Sequence, residues 1–399
     1  MLTAKQLEKY ADVLLWGLKK ARTRRYRPSD IIMVRFDLSA LGLAEILQGK
    51  ILALGMNPLL RFNGTPVMDR NFYGLANPRQ LVFQPPGSRE LLSRLNGSIF
   101  LNAPESLTHL RTADPKKIAK AALAYKPLRD ILNQRDEQGA FGWTLCTLPT
   151  PELARHARLS PAAYARQIVR ACFLNRPDPP REWETIFNNA RSLKQWLNRF
   201  KVKHYSIQSA SFDLVITPGE RRRWIGISGH NIPSFELFLS PDWRGTEGTY
   251  YANLPSFRSG NYISGVRLEF KKGAAVTLRA EEGEAFARKQ IGMDAGARRV
   301  GEFSLTDKRF SRIDTFMANT LFDENFGGKY GNCHLAVGSS YSDTYDGNPA
   351  SLTRTRKKQL GFNDSALHWD LVNTERKTVT AHLTSGKKVV IYEDGMFRY

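Results

Sequence analysis

Cysteine is scarce in this chain. There are three among 399 residues, Cys146, Cys172 and Cys333, far apart and never in Cys-x-x-Cys spacing. That excludes a disulfide framework and a cysteine-based zinc site, and it fits a reducing, cytoplasmic compartment. Long apolar runs are missing too. The N-terminal apolar patch, residues 13–18, is followed by Lys19 and Lys20 and is too short to span a bilayer. It reads as part of an amphipathic helix, not a signal peptide. No Gly-x-Gly-x-x-Gly and no phosphate-loop sequence follows any strand-like stretch, so a nucleotide signature is absent. Internal repeats and low-complexity linkers are also lacking.

Acidic residues are outnumbered, 38 against 59 Lys and Arg, which leaves a formal net charge of +21. Such a surplus favours anionic partners: nucleic acid, membrane headgroups or acidic peptides. The cations are not confined to one tail. They gather at residues 19–27, at Arg221, Arg222 and Arg223, at Arg298 and Arg299, and at residues 354–358. No recognisable nucleic-acid-binding module accompanies them. The rest of the composition is ordinary, with 42% hydrophobic and 24% charged residues. A chain of this length suggests two domains and can bury sizeable cores unaided. A metal here would therefore serve chemistry rather than folding.

The first half reads as α/β. Helical periodicity at residues 7–21 is followed by a strand at Ile31–Phe36, a helix at 40–54 stopped by Gly55, and a strand at Asn57–Phe62. That is the order of a βαβ unit. The order repeats less cleanly, with a strand at 81–84, a helix at 88–95, a strand at Gly97–Asn102, a helix at 114–132 and a strand at 142–148. Residues 151–200 read as helices at 152–159, 161–174 and 181–200, with a bend at 177–180. From Lys201 the character changes to strands: 205–207, 211–216, 222–227, a hairpin of 261–270 with 275–281, and another of 379–383 with 388–392. The expected architecture is an α/β domain over 1–200 and an α+β domain over 201–399.

A few residues carry chemistry. His368 and Asp370 are two apart, so on a strand they face the same side and could reach one ion. Glu236 sits before Leu-Phe-Leu, and Glu302 stands between Gly301 and Phe303. A glutamate in such surroundings is costly to bury unpaired, yet taken alone each reads first as a strand residue facing water. His334, in Gly-Asn-Cys-His-Leu-Ala-Val-Gly, has no partner at a fixed spacing. Asp323, Glu324 and Asn325 read either as residues that orient ligands or as a solvated turn. Asp343 and Asp346 lack the spacing of a calcium loop. Trp243 and Trp369 read as pocket lining or core, and Arg244 and Arg258 as contacts for substrate carboxylates. His109, His156, His204 and His382 have no partner pattern.

Five stretches, in this order and spacing, resemble the thermophilic metallo-aminopeptidases, the aminopeptidase T group. They are Asn231-Ile-Pro-Ser-Phe-Glu236 with Ser240-Pro241 and Glu247-Gly248; Arg299-Val-Gly-Glu302; Leu321-Phe-Asp-Glu-Asn325; Cys333-His-Leu-Ala-Val-Gly338 with Tyr341; and His368-Trp-Asp370. The resemblance covers most of the chain. It implies a C-terminal domain with a two-metal site ligated by Glu236, Glu302, His334, His368 and Asp370, and Tyr341 as a further ligand or an oxyanion donor. It also implies an N-terminal scaffold that forms the wall of the substrate channel, a homodimer, and peptide substrates. Oxygen and imidazole donors suit zinc, cobalt or manganese, and five ligands suit two ions sharing a carboxylate. The activity implied is release of N-terminal residues by a water that two divalent ions activate, with Glu236 or Glu302 moving the proton. His230 and Phe235 depart from the family's usual pattern, which touches the substrate pocket more than the metal ligands. The contrasting reading is an inactive aminopeptidase-like scaffold that binds nucleic acid or acidic partners through its basic surface. A different amide or ester hydrolase on the same ligand set is the third.

Overall fold

The computed structural model describes residues 1–399. The chain forms two compact units. One comprises Met1–Phe187, Ile227–Ser234 and Met317–Leu321; the other comprises Asn188–Gly226, Phe235–Phe316 and Phe322–Tyr399.

The first unit is built on a five-stranded sheet in the order β2-β1-β3-β4-β7. Its strands are β1 (Ile31–Phe36), β2 (Asn57–Phe62), β3 (Gly97–Asn102), β4 (Gly142–Thr147) and the short β7 (Asn231–Ile232). Every pairing in it is parallel, so its strands are joined by long crossovers. Helix α1 (Ala4–Lys20) packs on β3, β4 and β7, and α2 (Leu41–Ala53) packs on β1 and β2. The opposite face is covered by α4 (Ser88–Arg94) and α5 (Pro115–Glu137), where Met33, Leu92, Leu95, Leu128 and Phe141 form one cluster. Gly17 of α1 and Gly229 touch backbone to backbone. A Cβ on Gly17 would lie 2.7 Å from the Gly229 carbonyl oxygen, and Gly229 has φ +87°. Three further helices, α6 (Pro151–His156), α7 (Pro161–Ala171) and α8 (Pro179–Asn198, which ends in the second unit), follow β4. Each of α6 and α7 starts with Pro at its first turn behind a Thr or Ser cap.

One expectation fails in this unit, and one helix was not foreseen. Residues 81–84 are not a strand. A single 3-10 turn occupies Gln80–Val82, because the Asn77 side chain accepts hydrogen bonds from the Arg79 and Gln80 N–H groups and coils the chain. Helix α3 (Pro66–Leu75) was not anticipated. Thr65 caps it by accepting from Met68 N–H, and Pro66 takes its first turn.

The second unit holds two antiparallel sheets and a small two-stranded ribbon. The larger sheet has eight strands, β13-β12-β9-β6-β5-β17-β18-β19. They are β5 (Val202–Ser209), β6 (Asp213–Thr217), β9 (Asp242–Ala252), β12 (Val266–Lys271), β13 (Ala274–Arg279), β17 (Lys377–Leu383), β18 (Lys388–Glu393) and β19 (Met396–Phe397). The four-stranded sheet, β16-β15-β14-β8, comprises β8 (Glu236–Leu239), β14 (Val300–Thr306), β15 (Asn332–Gly338) and β16 (His368–Asn373). The ribbon is β10 (Ser256–Arg258) with β11 (Asn261–Ile263), and the helices are α9 (Glu284–Ile291), α10 (Thr320–Asp323, which begins in the first unit) and α11 (Arg354–Gln359).

Two more expectations are corrected here. The strand expected at 222–227 is only two isolated bridges, Arg222 to Tyr345 and Ile225 to Phe238. Arg221, Gly226 and Ile227 have positive φ, which a strand cannot continue through. The run 261–270 breaks into β11 and β12 at Gly265, whose φ is +61°. No helix of the chain is long and apolar enough to cross a membrane.

Candidate metal centre

The four-stranded sheet has one apolar and one polar face, and both are buried on its central strands. All seven residues of β14 and all seven of β15 are buried. Alternation sends Phe303, Leu305, Cys333, Leu335 and Val337 to one face and Glu302, Ser304, Asn332, His334 and Ala336 to the other. Register then lines up the charged groups. Asp370 pairs with Ala336 and Ala336 with Glu302; His334 pairs with Ser304; Thr306 pairs with Glu236; Gly338 pairs with His368. Small residues therefore sit between the large charged ones across the strands. A bulge between Val300 and Glu302, at Gly301, sets this phase. Gly338 has φ +110°, and a Cβ there would lie 2.1 Å from the Leu367 carbonyl oxygen, so only glycine lets β16 come close enough to deliver His368.

The five expected ligands meet on this face. His334 Nε2 lies 2.9 Å from Glu302 Oε1, 3.5 Å from Glu236 Oε2 and 3.8 Å from Asp370 Oδ1. His368 Nε2 lies 3.3 Å from Asp370 Oδ1 and 3.7 Å from Glu302 Oε2. Glu236, Glu302 and His334 are at most 4% exposed. Ser304 Oγ donates to Glu236 Oε2 at 3.0 Å.

Crowding acids into a buried space sets their proton affinities. Burial, then the neighbouring Glu302 and Asp370 acting against His334, pushes Glu236 up to about 7. Burial would raise Asp370 as well, but His368 and then His334 hold it well below the usual carboxylate range. Burial would lower His334, yet Glu236 and Glu302 carry it well above the ordinary imidazole range.

The donor set fits a cation. His368 Nδ1–H donates to the Ser339 carbonyl at 2.9 Å, which leaves Nε2 as the lone-pair end. That nitrogen faces two carboxylates; burial would lower the imidazole, but Asp370 and then Glu302 raise its affinity for positive charge above the usual range, and a metal ion can take the place a proton would otherwise fill. Two ligands each about 2.0–2.2 Å from one ion stand roughly 3–3.5 Å apart, close to the separations found. Glu302 offers a different oxygen to each imidazole.

Tyr341 stands just beyond β15, its ring 4.8 Å from the His368 ring and 5.8 Å from that of Phe238. Its N–H donates to Ser240 Oγ at 2.8 Å. The residue is 36% exposed. Its close-packed surroundings, then the Glu302 and Asp370 carboxylates, still keep the phenol protonated well above the usual tyrosine range.

Sequence reasoning left several neighbours open or missed them. Asp323, Glu324 and Asn325 are all buried, so they are not a solvated turn. Asn325 Oδ1 accepts the Phe235 N–H at 2.5 Å and so holds the entry to β8. Burial, then Glu236 and Asp370, raises Glu324 well above the usual range. Asp343 is pushed up to about 7 by burial and then Glu302, and its Oδ1 is buried without a partner. Arg258 Nη1 donates to the His368 carbonyl, a backbone contact. Trp369 is 1% exposed and faces the apolar side, where its Nε1–H donates to Ser256 Oγ. Arg244 forks onto Asp242. The i, i+2 rule could have found Ser304 beside Glu302; Glu324 and Asp343 come from loops that no periodicity addresses.

Known proteins resemble the chain along its full length. PepS, an aminopeptidase of Streptococcus thermophilus, is 25% identical, covering 98% of this chain and 97% of its own. Aminopeptidase T of Thermus thermophilus is 28% identical over 70% of this chain and 69% of its own. The solved structure of wild-type AmpT from Thermus thermophilus superposes with a TM-score of 0.77 at 22% identity, covering 99% of both chains, which shows a common fold. Residues 3–397 match a family described as thermophilic metalloprotease (M29), and the chain belongs to that family.

Proposed function

We propose that this metalloprotease is an aminopeptidase that releases N-terminal residues from peptides, with a site built for two divalent ions. The observation that supports it most is the convergence of Glu236, Glu302, His334, His368 and Asp370 on one buried sheet face. Glu236, Glu302 and His334 would hold one ion, and Glu302, His368 and Asp370 the other. Zinc, cobalt or manganese suits these donors. Bound there, the ions supply Lewis acidity and a water acidic enough to act as nucleophile at neutral pH.

The chain's own groups then have separate tasks. Glu302 reaches both imidazoles, one through each oxygen, and would be the residue shared between the ions. Glu236 reaches only one of them and accepts a hydrogen bond from Ser304, so it is the carboxylate that takes the nucleophile's proton and returns it to the leaving amine. Tyr341 donates its phenolic hydrogen bond to the developing oxyanion beside His368. Residues 201–399 carry this catalysis, and residues 1–200 form scaffold, channel wall and dimer contacts. The three cysteines are free and buried, which suits the cytoplasm.

The test is elemental analysis of purified protein followed by a panel of aminoacyl amides. Two ions per chain and hydrolysis that needs a free α-amine are expected. Chelation should abolish turnover, and zinc, cobalt or manganese should restore it. Turnover in a verified metal-free sample would refute the reading.

A further inference from the structure

Helix α11 is Arg-Thr-Arg-Lys-Lys-Gln, four cations in six residues and no acid. Folding does not call for this. Thr353 caps the helix by accepting from Arg356 N–H, and Leu352, Leu360 and Phe362 anchor it against Tyr345 in a small apolar cluster. Cations in its last turn suit the carbonyl end, but Arg354 occupies the first turn, where acidic residues are favoured. Arg354 and Lys358 are also like charges four apart, which repel on a helix. For Arg354 and Arg356 the acids within reach compensate little. Arg354 lies 3.8 Å from Asp364 and Arg356 lies 3.8 Å from Glu220, and both acids are well exposed. The Arg354 side chain is 95% exposed.

This helix is tied to the candidate metal centre by direct contacts. Tyr341 N–H donates to Ser240 Oγ, Arg222 Nε–H donates to the Ser240 carbonyl, and Arg222 Nη2–H donates to the Leu360 carbonyl at the end of α11, each at 2.8 Å. Arg221 lies over the Tyr345 ring and donates to the Asp346 carbonyl. The loop carrying Tyr341 thus continues into a cationic rim made by Arg221 and α11.

Resting on the aminopeptidase reading above, we propose that this rim binds the acidic downstream part of peptide substrates, so that peptides with Asp or Glu after the first few residues are preferred. A peptide whose N-terminus is held at the centre has later residues that extend away from it, and the contacts through Ser240 and Arg222 put this rim next to the Tyr341 loop. Nucleic acid fits less well. Binding of single strands relies on aromatic faces on which bases stack, and beside α11 Tyr345 and Phe362 are buried with Arg221 and Arg222 against them, and Arg299 lies over Trp243 at 3.8 Å.

The test compares the native enzyme with Arg354→Glu/Lys358→Glu and with Arg354→Gln/Lys358→Gln, both at exposed positions. A leucyl peptide with three following glutamates should lose at least about fivefold in kcat/KM in the charge-reversed variant, through KM, with the neutral variant between. Leucine amide should be cleaved equally by all three. Added salt should slow the acidic peptide in the native enzyme and barely affect it in the reversed variant. Equal kcat/KM for acidic and basic peptides, or no effect of charge reversal, overturns the proposal. Binding of an N-acetylated, fluorescein-labelled glutamate peptide separates it from the peptidase reading. Binding that charge reversal abolishes supports the rim even if no aminoacyl amide is cleaved. Cleavage of amides without such binding sinks the rim and leaves the peptidase. Tighter binding of an oligonucleotide of equal charge overturns the assignment to acidic peptides.

Discussion

Strand β3 of the first unit and strand β15 of the second are both central strands, yet they bury different things. In β3, Gly97, Ile99 and Leu101 are buried while Ser98, Phe100 and Asn102 are half-buried. In β15 every residue is buried, and one of them is an imidazole facing three carboxylates. Burying an Ile or Leu stabilises a fold by about 1.5–3 kcal/mol. Burying an unpaired charge costs several kcal/mol. The first strand therefore holds itself together, whereas the polar face beside the second relies on its imidazoles pairing with its carboxylates, and a bound cation would add to that. The same sheet supplies an offset on its other face, where Leu335, Val337, Phe303 and Leu305 are fully buried.

The comparison is broken most directly by removing the charges. His334→Ala and Glu302→Gln should each lower aminoacyl-amide turnover by at least ~100-fold, since even residues behind the ligands cost 10–100-fold. The circular dichroism spectrum should stay native; native turnover in either variant would remove these residues from the site. Next in size is the effect of stripping the metal. Chelation should lower Tm, by mass action equivalent to about 4 kcal/mol when the ion had stood at a thousand times its Kd. An unchanged Tm would mean that the polar face is stable unaided.

A smaller contrast concerns the apolar faces, which should behave alike. Leu335→Ala and Ile99→Ala should each cost about 2–5 kcal/mol in urea unfolding. A much smaller loss at Leu335 would show that the site sheet does not depend on its apolar face. Smallest, and visible only in acid, is the effect of His230. Burial lowers this imidazole to about 4, with Ser228 Oγ 2.7 Å from its Nδ1. The folded chain then stays neutral there while the unfolded chain takes a proton. Its contribution is fully present above the ordinary histidine value and is lost as pH falls toward 4. His230→Gln should flatten that part of the pH–stability curve, and an unchanged slope would exclude His230 as its source.

Much of this molecule was legible in the residue order. The helices at 88–95 and 161–174 and the strands Ile31–Phe36, Asn57–Phe62 and Gly97–Asn102 follow local periodicity, and the structure has them within a few residues. His368 and Asp370 share a strand face because i and i+2 always do. Where local chemistry competed with pattern, the reading failed. Asn77 turned an expected strand into a 3-10 turn, and positive φ at Arg221, Gly226 and Ile227 dissolved another.

By itself the sequence determined the parallel α/β character of the first unit, the strand-rich second unit, and the residue types able to bind an ion. Those follow from interactions a few residues long. Which glutamate reaches both imidazoles, which histidine nitrogen carries the proton, and that Glu324 and Asp343 lie beside the centre were decided by the tertiary structure alone. Strand register, the Gly301 bulge and the close approach at Gly338 set those distances, and each depends on pairing between segments that lie tens of residues or more apart in the chain.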